Sequence, residues 1–315
     1  MAEKIVIALG GNALQDKDSD GTAESQLAVV KSTCSVLADL SAAGYEMAVV
    51  HGNGPQVGRI LLSSETAKDV VPPMPLEVCG SESQGYIGYH IQQVLRHELA
   101  KRGLDYPVVT LVTQTIVDAS DPSFQNPTKP IGPFYSEEEA KDLAETRGYE
   151  MREDKARGGW RRVVASPKPV KIVEIDTVKL LWDNAVAVCA GGGGIPVIQK
   201  PNGELEGVAA VIDKDFGAEL LAEEVSADTL LILTEVEKVA INFGTPDQQN
   251  LDHLSLEQAA QYVADGQFGA GSMQPKVEAC MKFVRNNPGK RAIITSLAKA
   301  KEALAGKTGT QFTYA

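Results

Sequence analysis

The sequence predicts an α/β fold, a three-layer α/β/α sandwich with a mostly parallel central sheet and a small inserted lid subdomain. Three observations carry that expectation. Six short β-branched runs are almost continuously apolar, as strands covered on both faces must be. Amphipathic helical stretches alternate with them, and such alternation builds parallel sheets flanked by helices. Residues 118–169 break the rhythm and hold six of the sixteen prolines.

In chain order, the first strand is expected at 5–9, ending in Gly10-Gly11-Asn12, and a helix follows over 25–43. The second strand, 47–51, runs into His51-Gly52-Asn53-Gly54-Pro55-Gln56-Val57-Gly58, where Pro55 suits the first turn of another helix. A helix over 84–102 and a strand over 108–113 come next. Segment 118–169 carries a short acidic helix, 136–146. A stretch this long is not expected to be one structureless loop. It reads as a subdomain over one end of the sheet, a lid or a site-forming arm, with a plain surface excursion as the alternative. A helix over 177–184 then precedes a strand over 185–190, which ends in Gly191-Gly192-Gly193-Gly194. Helix 216–225, strand 229–233, helix 276–286, strand 292–296 and helix 299–305 complete the pattern.

Composition narrows the function. The 315 residues contain 30 Lys and Arg against 42 Asp and Glu, a net charge of −12. That balance opposes nucleic acid, which needs a basic face, and an anionic membrane surface. The longest uncharged stretch, 184–199, holds four glycines and is shorter than the ~18 residues of a membrane span. No apolar leader with a cleavage site opens the chain. Cys34, Cys79, Cys189 and Cys280 show no ligand or redox spacing, so they read as reduced core residues of a cytoplasmic protein.

The three glycine loops all follow strands. In open α/β sheets ligands bind beyond the carboxyl ends of the strands, where glycines let backbone N–H groups approach an anion. Neither common nucleotide signature is present: GGNA and GNGPQVG fail the dinucleotide fingerprint. Gly306-Lys307-Thr308 lacks the first glycine of a phosphate loop, follows a helix, and reads as a turn.

Phosphoryl transfer needs positive charge around the transferred group more than it needs acid–base groups. Three lysines qualify: Lys129 in Asn126-Pro127-Thr128-Lys129-Pro130, Lys214 in Val211-Ile212-Asp213-Lys214-Asp215, and Lys276 in Gly271-Ser272-Met273-Gln274-Pro275-Lys276. Lys214 and Lys276 stand near helix starts, where a cation opposes the dipole unless an anion lies between. Of the four histidines only His51 adjoins a glycine loop, and no nucleophile–base arrangement can be built. Arg152, Lys155, Arg157, Arg161, Arg162, Lys168 and Lys171 form a local basic cluster, either a phosphate-attracting face of the lid or a solvated face balanced by Glu150, Glu153 and Asp154.

Over essentially its whole length the sequence resembles the carbamate kinases of the amino-acid kinase superfamily. The matching segments include IALGGNAL, HGNGPQVG, MPLEVCGSESQGYIGY, NPTKPIGPFY, RRVVASPKP, GGGGIPV, AVIDKDF, LTEVEKVAINFG and GSMQPKVEA. The resemblance implies an eight-stranded sheet, a homodimer and the reversible reaction ADP + carbamoyl phosphate ⇌ ATP + carbamate, with Mg2+ on the nucleotide. It also implies a place in fermentative arginine or purine-derivative catabolism. Position by position, Gly10, Gly11 and Asn12 would bind the phosphoryl group through backbone N–H. Gly52, Asn53 and Gly54, with Gly191, Gly192, Gly193 and Gly194, would hold the carbamoyl part. Lys129 would reach in from the insertion. Lys214 and Lys276 would neutralise the phosphoryl oxygens, held by Asp215. Thr234, Val236, Val239, Ala240, Met273 and Lys276 would contact the nucleotide. The resemblance further implies a single domain over 1–315, with a carbamoyl-phosphate lobe to about 225 and a nucleotide lobe beyond it.

One departure is visible, an extra residue and a shifted arginine in 153–162. It keeps open a kinase of another small carboxylate or carbamate-like anion; a binding protein without turnover is a separate alternative, opposed by the presence of Lys129, Lys214, Asp215 and Lys276.

Overall fold

The computed structural model describes residues 2–15, 20–154 and 158–314. The first third of the chain runs β1 (Lys4–Leu9), α1 (Ala23–Ala42), β2 (Glu46–His51), α2 (Gly54–Thr66), α3 (Leu76–Lys101), β3 (Val108–Thr110) and β4 (Gln114–Val117). The insertion contributes β5 (Lys129–Tyr135), α4 (Glu137–Arg147), β6 (Met151–Glu153) and β7 (Trp160–Val164). Then come β8 (Pro169–Ile172), α5 (Ile175–Leu181), β9 (Val186–Val188), β10 (Ile195–Gln199), β11 (Leu205–Gly207) and α6 (Lys214–Glu224). The remainder is β12 (Thr229–Thr234), β13 (Ala240–Ile241), β14 (Gln249–Asn250), β15 (His253–Ser255), α7 (Leu256–Ala264), α8 (Gln274–Asn286), β16 (Arg291–Ser296), α9 (Ala300–Leu304) and β17 (Thr310–Thr313).

The main sheet has eight strands in the order β15-β17-β16-β12-β1-β2-β9-β3. Only β16 and β17 pair antiparallel within it. Alternate residues of the central strands face opposite ways, as the two-residue period demands. Val6, Ala8, Val50, Leu230, Ile232 and Ile294 pack with α5, α6, α7 and α8. Ile5, Ile7, Leu9, Val49, Leu231, Leu233 and Ile293 pack with α1, α3 and α9. The expected three-layer sandwich is therefore present, and its strands read as continuous apolar runs because both faces are buried.

From β1 the chain first builds toward β2, β9 and β3, and later toward β12 and β16 on the other side. The carboxyl end of β1 is thus a topological switch point, the place where open α/β sheets bind ligands.

Two differences from the sequence expectation have visible causes. The run 108–113 is not one strand. Its last bond to the main sheet runs from the Leu111 N–H to Val188 O at 2.9 Å, after which the Thr113 N–H donates to Gln84 Oε1 at 2.7 Å. The chain then re-enters a second, four-stranded sheet, β11-β10-β4-β8. Helix α3 begins at Leu76, eight residues before the expected start at 84, because Leu76, Cys79 and Ser83 are buried by tertiary packing. Segment 118–169 contains the three-stranded antiparallel sheet β5-β7-β6 and the acidic helix, whose capping box runs between Ser136 and Glu139. A third apolar cluster joins this sheet to the body: Val57 and Leu61 of α2, Leu76 and Cys79 of α3, Ile131 of β5 and Val164 of β7. Lys155 and Arg157, part of the basic cluster and of the departing stretch, lie outside the described residues. The triplet at Gly306 is a turn, with Gly306 at φ +73°.

Candidate active site

The first glycine loop sits where β1 meets β12. Gly10 donates its N–H to Leu233 O at 3.1 Å, and a Cβ on Gly10 would lie 3.0 Å from that oxygen. A side chain there would press on that oxygen, so the close approach favours glycine. The Gly10 N–H is thereby spent inside the protein, which removes Gly10 from the expected phosphoryl donors and leaves the backbones of Gly11 and Asn12. These two stand in a single 3-10 turn, residues Gly11–Ala13.

The lysines expected from separate segments are brought to one place. Asp213 caps α6, with its Oδ1 accepting from the Asp215 N–H at 3.0 Å. Its other oxygen lies 2.8 Å from Lys129 Nζ, 84 residues away in sequence. Asp215 is almost fully buried and holds two lysines, Lys214 on Oδ1 and Lys276 on Oδ2 at 3.2 Å. Lys276 Nζ also donates to Ser272 O at 2.8 Å. A chain of alternating charge results: Lys129, Asp213, Lys214, Asp215, Lys276. Burial raises the Asp213 carboxyl, but the Lys129 and Lys214 charges and its hydrogen bonds outweigh that and hold it below 3.8. Asp213 was not among the expected site residues. Its signal was the Asp-Lys-Asp triplet, in which the first carboxylate both caps the helix and receives the lysine from the insertion.

Lys214 also marks the second glycine loop: a Cβ on Gly52 would touch its Cδ at 3.5 Å. Asn53 caps α2 geometrically and donates from Nδ2 to Ser83 Oγ at 2.8 Å. Its amide lies against the third loop, where a Cβ on Gly192 would fall 2.3 Å from Asn53 Nδ2. That third loop is packed on every side. Cβ atoms on Gly191, Gly193 and Gly194 would collide with His51, Ile212 and Thr115 respectively. Gln84 Nε2 and Thr115 Oγ1 donate to the carbonyls of Gly191 and Gly193. A small cavity between α3 and these loops is lined by Asn53, Gln84, Gly191, Gly192 and Gly194. Gly54 is the first residue of α2 and lines neither this cavity nor the larger one described next.

Burial pushes the His51 imidazole down to about 4, and its Nδ1 lies 2.8 Å from Gly52 O. At neutral pH it is an uncharged packing group. The four cysteines are free and buried.

Beyond the carboxyl ends of β1 and β12 opens a cavity of about 630 Å3, a size suited to a small-molecule ligand. Gly10, Gly11, Lys214 and Lys276 line one side of it, with Thr234, Val236, Ala240, Phe243 and Met273 around the rest. Five of the six expected nucleotide contacts therefore line one cavity. Val239 does not. Its side chain is fully buried, its N–H donates to Thr310 Oγ1 at 2.8 Å, and its carbonyl accepts from the Leu251 N–H. It is a core residue, enclosed between β12 and the residues that follow it rather than facing the cavity. Phe243, 67% exposed, was missed because one aromatic in a loop carries no periodic signal.

Among the described residues no helix is long and apolar enough to cross a membrane, and no group of three or more His, Cys, Asp or Glu could hold a metal.

Residues 3–296 match the model of the amino acid kinase family. The chain is 54% identical over 312 residues to a carbamate kinase of Clostridium perfringens, covering 98% of this chain and 99% of that one. It is equally 54% identical to the carbamate kinase-like protein YqeA of Escherichia coli, covering 98% and 99%. The structure of Giardia lamblia carbamate kinase bound to AMP-PNP superposes with a TM-score of 0.92 at 44% identity, covering 99% of this chain and 98% of that one. With its switch-point cavity and its lysine–aspartate chain, this protein belongs to the amino acid kinase family, among the carbamate kinases.

Proposed function

We propose that the chain is a phosphotransferase with a carboxyl-type acceptor, a carbamate kinase acting on ADP and carbamoyl phosphate. One observation carries the reading. Lys214 and Lys276, held on Asp215, line the 630 Å3 cavity, while the stem of Lys214 lies against Gly52 of the other glycine loop. The cavity and the acceptor loops thus meet at a cluster of positive charge.

In the direction that makes ATP, a β-phosphate oxygen of ADP attacks phosphorus, the P–O bond to the carbamoyl group breaks, and carbamate leaves with that electron pair. Both ends of the reaction are already anions. No base is required, in keeping with the neutral His51. What the transition state needs is charge stabilisation in line, and Lys129, Lys214 and Lys276 supply it. Gly11 and Asn12 contribute backbone N–H groups. Asn53 and the 191–194 loop hold the carbamoyl part. On this reading residues up to about 225 hold carbamoyl phosphate, the later residues hold the nucleotide, and 118–169 acts as an arm carrying Lys129. Mg2+ would arrive on the nucleotide, since the two carboxylates beside the lysines, Asp213 and Asp215, are already engaged by them. The working form is a homodimer, as the resemblance implies, and the free, buried cysteines suit the reducing cytoplasm.

The test is ATP formation from ADP, Mg2+ and carbamoyl phosphate by the purified chain. Turnover that disappears with Lys214→Ala supports the assignment. A folded protein that binds ADP and makes no ATP would move it to another small carboxylate acceptor.

A further inference from the structure

The proposed role of Lys129 raises a physical question: what fixes its position? It is the first residue of β5, in a sheet outside the main one. The apolar cluster of Val57, Leu61, Ile131 and Val164 holds that sheet against α2, but hydrophobic contact is non-directional and permits sliding. A directional contact is also present. Glu65, in the last turn of α2, accepts the Tyr149 hydroxyl hydrogen on Oε1 at 2.5 Å. The same oxygen lies 3.5 Å from Arg162 Nη1. The Arg162 guanidinium in turn stacks over the Tyr149 ring, 3.6 Å from its centroid. The Glu65 and Arg162 side chains are only 18% and 15% exposed, so the pair is shielded from the screening that makes most surface ion pairs weak. Arg162 is registered against Ile131, and Val164 against Lys129 itself. The anchor is therefore two strand residues, roughly 7 Å, from the lysine it would control.

We propose that Glu65 is a positioning residue for Lys129: through Tyr149 and Arg162 it locks the inserted sheet in the register that sets Lys129 against Asp213 and the transferred phosphoryl group. Arg162 then belongs neither to a phosphate-attracting face nor to a solvated one. It is a latch between the insertion and α2. The inference rests on the proposed reaction and on Lys129 acting in it.

The test is a double-mutant cycle in the full chain, read as kcat and KM for ATP formation. Misplacing a catalytic group by about 1 Å costs up to ~100-fold. Glu65→Ala should therefore lower kcat by about 10- to 100-fold, with the KM for ADP within about twofold, because no latch residue lines the nucleotide cavity. In a Lys129→Ala background the same change should cost less than about twofold, since there is no lysine left to misplace. Glu65→Gln keeps an acceptor for Tyr149 and should recover most of the loss. Tyr149→Phe, which removes one hydroxyl, should reproduce part of it and serves where Glu65→Ala does not fold. Losses that multiply with Lys129→Ala, or an unchanged kcat in both Glu65→Ala and Tyr149→Phe, would overturn the latch while leaving the reaction intact. An unchanged kcat in Lys129→Ala alone would remove Lys129 from the reaction, and the latch with it.

Discussion

Replacing Lys214 by alanine removes one ammonium group from a cluster of three lysines and two aspartates. The cluster's net charge falls from one positive to zero at the point where the cavity meets the acceptor loops. Two independent scales give the cost. A charge pair about 4 Å apart at an effective dielectric near 20 interacts by ~4 kcal/mol. Removing one preorganised donor from a transition state costs ~100- to 1,000-fold in turnover, about 3–4 kcal/mol. A fall in kcat of that size is expected. Stability should suffer far less. Asp215, with a side chain 3% exposed, keeps Lys276 at 3.2 Å and is not left as an uncompensated buried charge, so the loss should be about 1–2 kcal/mol. Initial rates of ATP formation at saturating substrates measure the first quantity and thermal unfolding the second. Lys214→Met separates charge from packing, because it keeps most of the stem beside Gly52 and removes only the ammonium. Both variants should lose turnover alike. A folded Met variant within about threefold of the parent would refute charge stabilisation by Lys214 and leave only a packing role.

Three further outcomes follow from other parts of the geometry. Lys129→Ala should lower kcat by about 100-fold while ADP binding, followed by calorimetry, changes little; unchanged turnover would detach the insertion from the chemistry. Gly193→Ala would place a Cβ 2.7 Å from Ile212 O at φ +91°, and strain plus overpacking should cost about 2–5 kcal/mol; an unfolding midpoint within a degree of the parent would contradict that close approach. Glu219 is fully buried on α6, where burial, opposed by Lys282 and aided by Glu223, raises its carboxyl from 4.5 to about 7. The folded state then holds a proton that the unfolded state has lost, so this group's contribution to stability declines as pH rises from 4.5 to about 7. Relative to the parent, Glu219→Gln should gain stability between pH 5 and 8, by up to about 3 kcal/mol; denaturant titrations showing a pH-independent difference would rule the protonation out.

The site was legible wherever its residues depend on their immediate neighbours, and illegible wherever they depend on a distant partner. Lys214 and Asp215 stand in a triplet whose first residue is a helix cap, so charge and turn chemistry mark the place together. Gly193 sits in an uninterrupted run after an apolar strand, a composition that serves close approach. By contrast, Asp213 looked like a flanking carboxylate until Lys129 arrived from 84 residues away. Gly10 looked like an anion donor until Leu233 O claimed its N–H. Val239 looked like cavity lining until Thr310 and Leu251 took its backbone into the core. The fold divides along the same line. Strands buried on both faces announce themselves as apolar runs, whereas the end of β3 coincides with a hydrogen bond from the Thr113 N–H to Gln84, a side chain on another element. The three-layer sandwich needs only local pattern to be recognised. A mechanism needs the pairs, and pairs such as Lys129 with Asp213 or Glu65 with Tyr149 and Arg162 exist only once the insertion is seated on α2. The double-mutant cycle between Glu65 and Lys129 therefore asks more than any single substitution can, because it measures whether that seating is itself part of the catalytic charge arrangement.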